Sequence, residues 1–181
     1  MNALSPVSAS SLLRAACLLL VACALGACGF HLRQSAALPP GMQRVHVVVN
    51  GNNALQQRLV RALQTSGADV EDQAGAGIAE LRVPVAAFST ETLSAGGYAR
   101  VSEFAVHFQV QFEVGDGSGH TLVARQRIDM SREYSYDATN TVGNASQVQA
   151  IEQGLNDDVV QSILFRLQAA GKNAPVSPAG I

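Results

Sequence analysis

The sequence predicts an α+β domain, a two-layer sandwich in which two helices pack on one face of a four-stranded mixed sheet, in the order β-α-β-β-β-α. Between residues 103 and 114 Phe or Val occupies every even position and, apart from Ala105, a polar residue occupies every odd one, as in a strand with one buried face. Two other segments, 53–67 and 146–171, repeat their apolar residues at helical spacing, and each closes on a glycine. These patterns give a sheet with one apolar face and two amphipathic helices to cover it.

The chain opens with the layout of a bacterial lipoprotein signal peptide. A polar stretch with one charge, Arg14, precedes an apolar run over residues 15–25 that is too short for a membrane-spanning helix. The run closes on Leu25-Gly26-Ala27-Cys28, which resembles the lipobox where lipoproteins are acylated and cleaved. We therefore expect residues 1–27 to be removed and Cys28 to carry a lipid anchor. The alternative is an ordinary secreted protein with a chance cysteine at the cleavage site.

The residue after the lipobox cysteine predicts the membrane address. In lipoproteins an Asp at this position commonly retains the protein in the inner membrane, and this chain has Gly29 instead. We expect export to the outer membrane, with the domain facing the periplasm. The mature chain is then one domain over residues 28–171, followed by a disordered tail over 172–181.

Composition and motifs exclude several function classes. Without the signal peptide the chain has 11 basic and 14 acidic residues, a formal charge of −3, which argues against nucleic-acid binding. Cys28 is then the sole cysteine, so no disulfide can form within one chain. The four histidines lack metal-ligand spacing, and no hydrolase motif such as G-x-S-x-G or H-E-x-x-H occurs. The sequence therefore predicts no metal, no cofactor and no enzymatic activity.

The start of the mature chain carries a family resemblance. Cys28-Gly29-Phe30-His31-Leu32-Arg33, followed by a Ser/Ala/Pro-rich tether, resembles the opening of the LptE family of lipopolysaccharide-assembly lipoproteins. The resemblance implies a two-layer fold and a place as a plug inside the outer-membrane β-barrel LptD, whose assembly it assists. It also implies binding of lipopolysaccharide during delivery to the outer leaflet. Family members use basic side chains for this binding, but residues 137–149 contain no Lys or Arg.

The first strand and helix are marked by composition. The β-branched run over residues 44–49, bounded by turn residues, predicts a buried strand. Asn53 is expected to cap the following helix with Gln56 as its reciprocal partner, and Gly67 to end it. The apolar stripe of this helix consists of Leu55, Leu59, Ala62 and Leu63.

The second strand is predicted over residues 81–87, where apolar residues alternate with others. Pro84 cannot donate a ladder hydrogen bond, so this strand is expected at a sheet edge or with a bulge. The polar stretch over residues 89–97 is interpreted as a loop or a fraying strand end.

The third and fourth strands form a predicted hairpin with its turn at residues 115–119 and its return over 122–136. Pairing Val114 with His120 places Phe112 opposite Leu122 and Val106 opposite Ile128, so apolar meets apolar. Phe108 opposite Gln126 is the exception in this register.

This register also brings arginines together. It makes Arg100 and Arg132 diagonal neighbours at the open end of the hairpin, with Arg125 and Arg127 on the other face. One interpretation is pairing with nearby carboxylates, those of Glu103, Asp129 and Glu133. The other is a small anion site for a phosphorylated glycolipid, since guanidinium groups suit phosphate oxygens.

The last helix is predicted to begin with Ser146 and Gln149 as a capping box and to end at Gly171, with Gly154 weakening it. Its apolar stripe consists of Val148, Ile151, Leu155, Val159, Ile163 and Leu167.

The patterns favour an interaction protein over two alternatives. The first alternative is a free, lipid-anchored periplasmic carrier that holds an amphiphile between the sheet and the helices. A filled core would argue against it. The second is a cell-wall enzyme, which would require carboxylates clustered in a cleft.

Overall fold

The structure, a computed structural model, describes residues 38–94, 101–137 and 141–173. The predicted signal peptide at 1–27, the lipid anchor Cys28, Arg100 and the tail beyond residue 173 lie outside these described residues.

Two helices lie on one face of a mixed five-stranded sheet, which confirms the predicted α+β two-layer class and corrects the strand count from four to five. The strands lie in the order β2-β1-β3-β4-β5. Strand β1 is parallel to both β2 and β3, and the remaining pairs are antiparallel. In chain order the elements are β1 (Arg44–Val49), α1 (Asn53–Thr65), β2 (Asp69–Glu71), β3 (Ala79–Ser94), β4 (Val101–Gly115), β5 (Thr121–Asp137) and α2 (Thr141–Asn173).

The unpredicted strand is β2, which has three residues and is therefore too short to show a periodic pattern. Tertiary contacts define it instead. The Asp69 amide donates to the Gln43 carbonyl at 2.7 Å, and Arg44 forms an ion pair with Glu71 at 2.7 Å. These contacts extend the sheet by one strand beyond β1.

The apolar side chains predicted for the core meet between the sheet and the helices. We call the covered side of the sheet the helix face and the opposite side the outer face. The alternating prediction for β4 is confirmed, because Val106, Phe108, Val110, Phe112 and Val114 are at most 1% exposed. Both helical stripes contribute buried residues, including Leu55, Leu59, Leu63, Leu155, Val159, Ile163 and Leu167.

The N-cap of helix α1 lies one residue before the predicted cap. Asn52, not Asn53, is the N-cap, and its Oδ1 accepts the Leu55 amide at 2.9 Å. Gln56 donates to the Val47 carbonyl at 3.4 Å instead of completing a capping box. Gly67, at φ +90°, follows the end of the helix as predicted.

Helix α2 is longer than predicted at both ends. It starts at Thr141, so Ser146 is an interior residue whose Oγ donates to the Val142 carbonyl at 3.1 Å. The predicted capping box is therefore wrong, because a hydroxyl can equally bond the preceding turn of a helix. The helix also continues past Gly171 to Asn173, where Lys172 suits the negative end of the helix dipole.

Strand β3 continues well beyond its neighbour β1. A register shift between Arg82 and Val85 confirms the bulge expected at Pro84, and β1 ends at Val49 opposite Val83. The segment expected as a loop or fraying end stays paired with β4 as far as Ser94. Past the stacked rings of Phe88 and Phe108, three strands and one helix therefore form an extension, which we define as residues 89–94, 101–107, 131–137 and 141–152. The other described residues form the base.

The predicted register of the β4–β5 hairpin is wrong by four residues, since Phe112 pairs with Gln126 instead of Leu122. Part of the offset comes from a longer turn, which closes with Gly115 opposite Thr121. The remainder comes from two bulges in β5 before Gln126. From Gln126 onward the offset is even, so these side chains of β5 keep their predicted face while their neighbours change. Between the two bulges the offset is odd, so Val123 moves to the helix face, where it pairs with Val114 and is 4% exposed.

Candidate functional site

Arg132 projects from β5 on the helix face, where helix α2 crosses the sheet. Its Nη2 lies 2.6 Å from Oδ2 of Asp158. A Cβ at Gly154 would lie 2.7 Å from Nη1 of Arg132, so only a glycine leaves space for the guanidinium as it stands. The glycine that weakens the helix therefore has a packing reason, which is this close approach between α2 and β5.

Arg125 and Arg127 lie on the outer face, as predicted, and each has a carboxylate partner. Arg125 Nε donates to Glu113 at 3.0 Å. Arg127 Nε donates to both oxygens of Asp129, at 2.9 and 2.7 Å, and this hydrogen bonding raises the pKa of Arg127. The carboxylate interpretation is thus confirmed at Asp129. Arg125 pairs with Glu113 and Arg132 pairs with Asp158, and the sequence indicated neither of these partners.

The four predicted arginines are not brought together in one place. Arg132 pairs with Val106 in the observed register, where the prediction placed Ile128, so the neighbours predicted for Arg132 are wrong. Arg100, its predicted neighbour, lies outside the described residues. Arg125 and Arg127 are separated from Arg132 by the thickness of the sheet.

Ion pairs recur over the outer face, which no helix covers within the described residues. They are Arg44–Glu71, Arg82–Glu80, Arg125–Glu113 and Arg127–Asp129, with contact distances up to 3.0 Å. On the same face, Nε2 of His107 lies 3.0 Å from Glu91. The hydrogen bond from Arg82 lowers the pKa of Glu80, although partial burial acts in the opposite direction. Each exposed ion pair of this kind contributes about 0–1 kcal/mol to the free energy of unfolding. The outer face is therefore charge-balanced and hydrated, and its charged side chains can exchange one partner for another easily.

A recess of about 720 Å³ opens where β1 ends and β3 continues. Asn52 donates to Asn156 Oδ1 at 3.1 Å, and the buried Asn156 donates to the Glu152 carbonyl at 2.9 Å. These bonds join the start of α1 to the middle of α2. The lining consists of Asn50, Gly51, Asn52, Ala54, Pro84, Val85, Ala86, Ala87, Phe88, Glu152 and Asn156.

Buried asparagines are the site residues that the sequence did not reveal. Asn144, 7% exposed, donates to the Asp137 carbonyl at 2.7 Å and accepts from the Asp137 amide at 3.2 Å. Asn156, 4% exposed, adjoins the apolar stripe of α2. A polar residue beside an apolar stripe cannot be recognised as buried until the position of the packing partner of the helix is known. The helical periodicity could have identified these two asparagines only in combination with that position.

Across the three described segments, His, Cys, Asp and Glu side chains nowhere form a group of three or more suited to a metal ion. Neither helix in those segments is long and apolar enough to cross a membrane.

The chain matches the LptE family, described as lipopolysaccharide-assembly, over residues 42–167. It belongs to the LptE family. The match spans β1 to the last buried turn of α2, so it includes both helices and the complete sheet. This LptE-family chain is therefore a lipopolysaccharide-assembly lipoprotein of the cell envelope, and the family is not a known family of enzymes.

Solved structures of lipoproteins share the fold of this LptE-family chain. Lipoprotein B from Nitrosomonas europaea has a TM-score of 0.67 at 24% identity, covering 80% of this chain and 94% of that one. Rare lipoprotein B from Shewanella oneidensis has a TM-score of 0.61 at 16% identity, covering 72% and 97%. A minor lipoprotein from Acinetobacter baumannii has a TM-score of 0.60 at 18% identity, covering 71% and 92%. No curated protein matches the chain.

Proposed function

We propose that this protein, anchored through a lipid on Cys28, lies inside the outer-membrane barrel LptD as a plug. In this role it assists assembly of the barrel and binds lipopolysaccharide during delivery to the outer leaflet. The observation that carries the proposal is the family match over residues 42–167.

The outer face supports a place inside a barrel. Large outer-membrane barrels have polar interiors, so a plug needs a surface that stays hydrated and carries little uncompensated charge. The ion pairs of the outer face, with Gln109 and Gln111 between them, meet this need. We therefore assign the outer face to the wall of the barrel lumen.

Arg125 and Arg127 are the described arginines best placed to bind a phosphorylated glycolipid. Their side chains are 58% and 59% exposed. Because exposed pairs contribute about 0–1 kcal/mol, a phosphate group can replace Glu113 or Asp129 at little cost. Arg132 pairs with Asp158 of α2 and lies on the helix face, away from these two arginines. Arg100 remains a proposed contact outside the described residues.

The carrier alternative is less well supported. A carrier of this fold would hold its amphiphile between the sheet and the helices. That space is filled by side chains of 0% exposure, including Phe108, Phe112, Leu59 and Ile163.

Purification of the lipidated protein from outer membranes in mild detergent tests the proposal. We expect a large β-barrel protein in equal amount, identified by mass and retained through high-salt washes. Recovery of the lipoprotein alone, carrying only lipid, would favour the carrier and contradict the proposal.

A second experiment tests the glycolipid contact. The double variant Arg125→Ala/Arg127→Ala is compared with Arg44→Ala, which removes another outer-face ion pair at the far side of the sheet. We expect the double variant to weaken binding of purified lipopolysaccharide about tenfold, as loss of two charge-assisted contacts implies. If the unmodified protein, the double variant and Arg44→Ala bind lipopolysaccharide equally, neither Arg125 nor Arg127 belongs to the proposed site.

A further inference from the structure

Among the described residues the sheet has three exposed edges, and two of them carry features that discourage pairing with another strand. The β2 edge is three residues long and carries Asp69 and Glu71. The β5 edge, Thr121–Asp137, carries six charged residues, namely Arg125, Arg127, Asp129, Arg132, Glu133 and Asp137. Short length and charge are the usual means by which proteins keep strand edges from pairing.

The third edge is the part of β3 that continues past β1. Over residues 85–94 no strand pairs with this side of β3 in the described structure. Its one charged residue, Glu91, lies 3.0 Å from His107 on the neighbouring strand. Alternate backbone N–H and C=O groups along these ten residues therefore face outward without a charged side chain to shield them.

The recess lies beside this edge and gives an added strand a place to lie. Pro84 and the bulge end the pairing with β1, and α1 turns away at Asn52. The gap that follows is bounded by β3 on one side and by Glu152 and Asn156 of α2 on the other. Its volume of about 720 Å³ is open to solvent and has both polar and apolar lining.

Glu152 gives the recess a charge preference. It is the one charged residue among the described residues that line the recess. Its backbone carbonyl accepts from Asn156, but its carboxylate has no ion pair or hydrogen bond among the described residues. A partner that places a basic side chain here would compensate this half-buried carboxylate.

We propose that the β3 edge over residues 85–94 binds an extended segment of the partner barrel protein as an added strand, with a basic side chain directed to Glu152. Main-chain hydrogen bonds to β3 would supply affinity, and the recess and Glu152 would supply selectivity. This inference rests on the proposed function, because it names the surface through which the same partner is held.

Hydrogen exchange measured on the free protein and on its purified outer-membrane complex tests the inference. We expect backbone amides within residues 85–94 to exchange at least about tenfold more slowly in the complex, in an alternating pattern along the strand. Amides of β5 provide the internal comparison. If the barrel co-purifies but the β3 amides exchange equally in both samples, the inference is overturned while the proposed function stands. If no barrel co-purifies, both fail.

A matched pair of variants makes the test specific. Ala86→Lys places a charge on the open edge beside the recess, whereas Ala124→Lys adds the same charge on the exposed β5 edge. We expect Ala86→Lys to lower the recovered barrel about tenfold and Ala124→Lys to leave it unchanged, with both variants folded by circular dichroism. Equal recovery of the barrel with both variants would overturn the inference.

The same hydrogen-exchange measurement distinguishes two other possible occupants of the β3 edge. Slowed exchange of the β3 amides in the concentrated free protein, without the barrel, would mean pairing between two copies of this chain. Slowed exchange on adding lipopolysaccharide alone would mean a glycolipid site. Either result would overturn strand addition by the barrel.

Discussion

The base and the extension of this molecule use the same strands and the same helix α2, yet they are packed differently. In the base the sheet is five strands wide and two helices cover it, so side chains such as Leu59 and Ile163 are completely buried. In the extension three strands and one helix remain, and residues 89–94 are exposed throughout. The difference indicates that the base holds the fold together and the extension presents surface.

The largest expected difference in stability between the base and the extension comes from removing apolar side chains of α2. Ile163→Ala removes a fully buried side chain in the base and is expected to lower the free energy of unfolding by about 2–5 kcal/mol. Ile151→Ala, on the same helix in the extension, removes a partly buried one and should cost less than half as much. Urea unfolding measures both, and equal losses would show that the extension is packed as firmly as the base.

Asn52 joins the two helices, because it caps α1 and also bonds to Asn156 of α2. Asn52→Ala is expected to cost about 0.5–2 kcal/mol of unfolding free energy. Asn53→Ala is the matched control, since its side chain is exposed and the helix is already capped. If Asn53→Ala lowers the thermal unfolding temperature more than Asn52→Ala does, Asn53 is the N-cap, as the sequence predicted.

Gly154 and Arg132 test how tightly α2 approaches β5. Gly154→Ala raises helix propensity by about 1 kcal/mol but displaces the guanidinium. We therefore expect it to stabilise the Arg132→Ala variant by about 1 kcal/mol and the unmodified protein by less. A double-mutant cycle by urea unfolding measures this coupling, and additive effects would mean that the two residues do not meet.

The turn between β4 and β5 gives a smaller, pH-dependent effect. The backbone amides of His120 and Ser118 donate to Asp116, at 2.7 and 2.9 Å, and lower the pKa of its carboxyl. Stability from this group is therefore present above the unfolded pKa of about 4 and is lost as the pH falls through the lower folded value. Asp116→Asn should flatten the acid side of the stability profile, whereas Asp72→Asn, an exposed control, should not.

The sequence predicted which residues face the core but not which residues meet across it. Alternation in β4 and the stripes of both helices depend on local periodicity, so both were predicted correctly. The hairpin register depended on a turn organised by Asp116 and on two bulges, which leave no periodic signal. The pairing of Arg132 with Asp158 joins residues that are 26 apart and follows from the crossing of α2 over β5. The arginine arrangement therefore could not be predicted once the register was wrong.

A photo-crosslinking residue at Gln109 tests the central claim most directly, because Gln109 lies on the outer face between β3 and β5. The crosslinker is introduced into the full-length lipoprotein and irradiated in intact outer membranes, with an unirradiated sample as control. We expect an adduct with a large β-barrel protein, identified by mass as LptD. An outer face that lies free in the periplasm would give no barrel adduct from Gln109, and this result would contradict the plug.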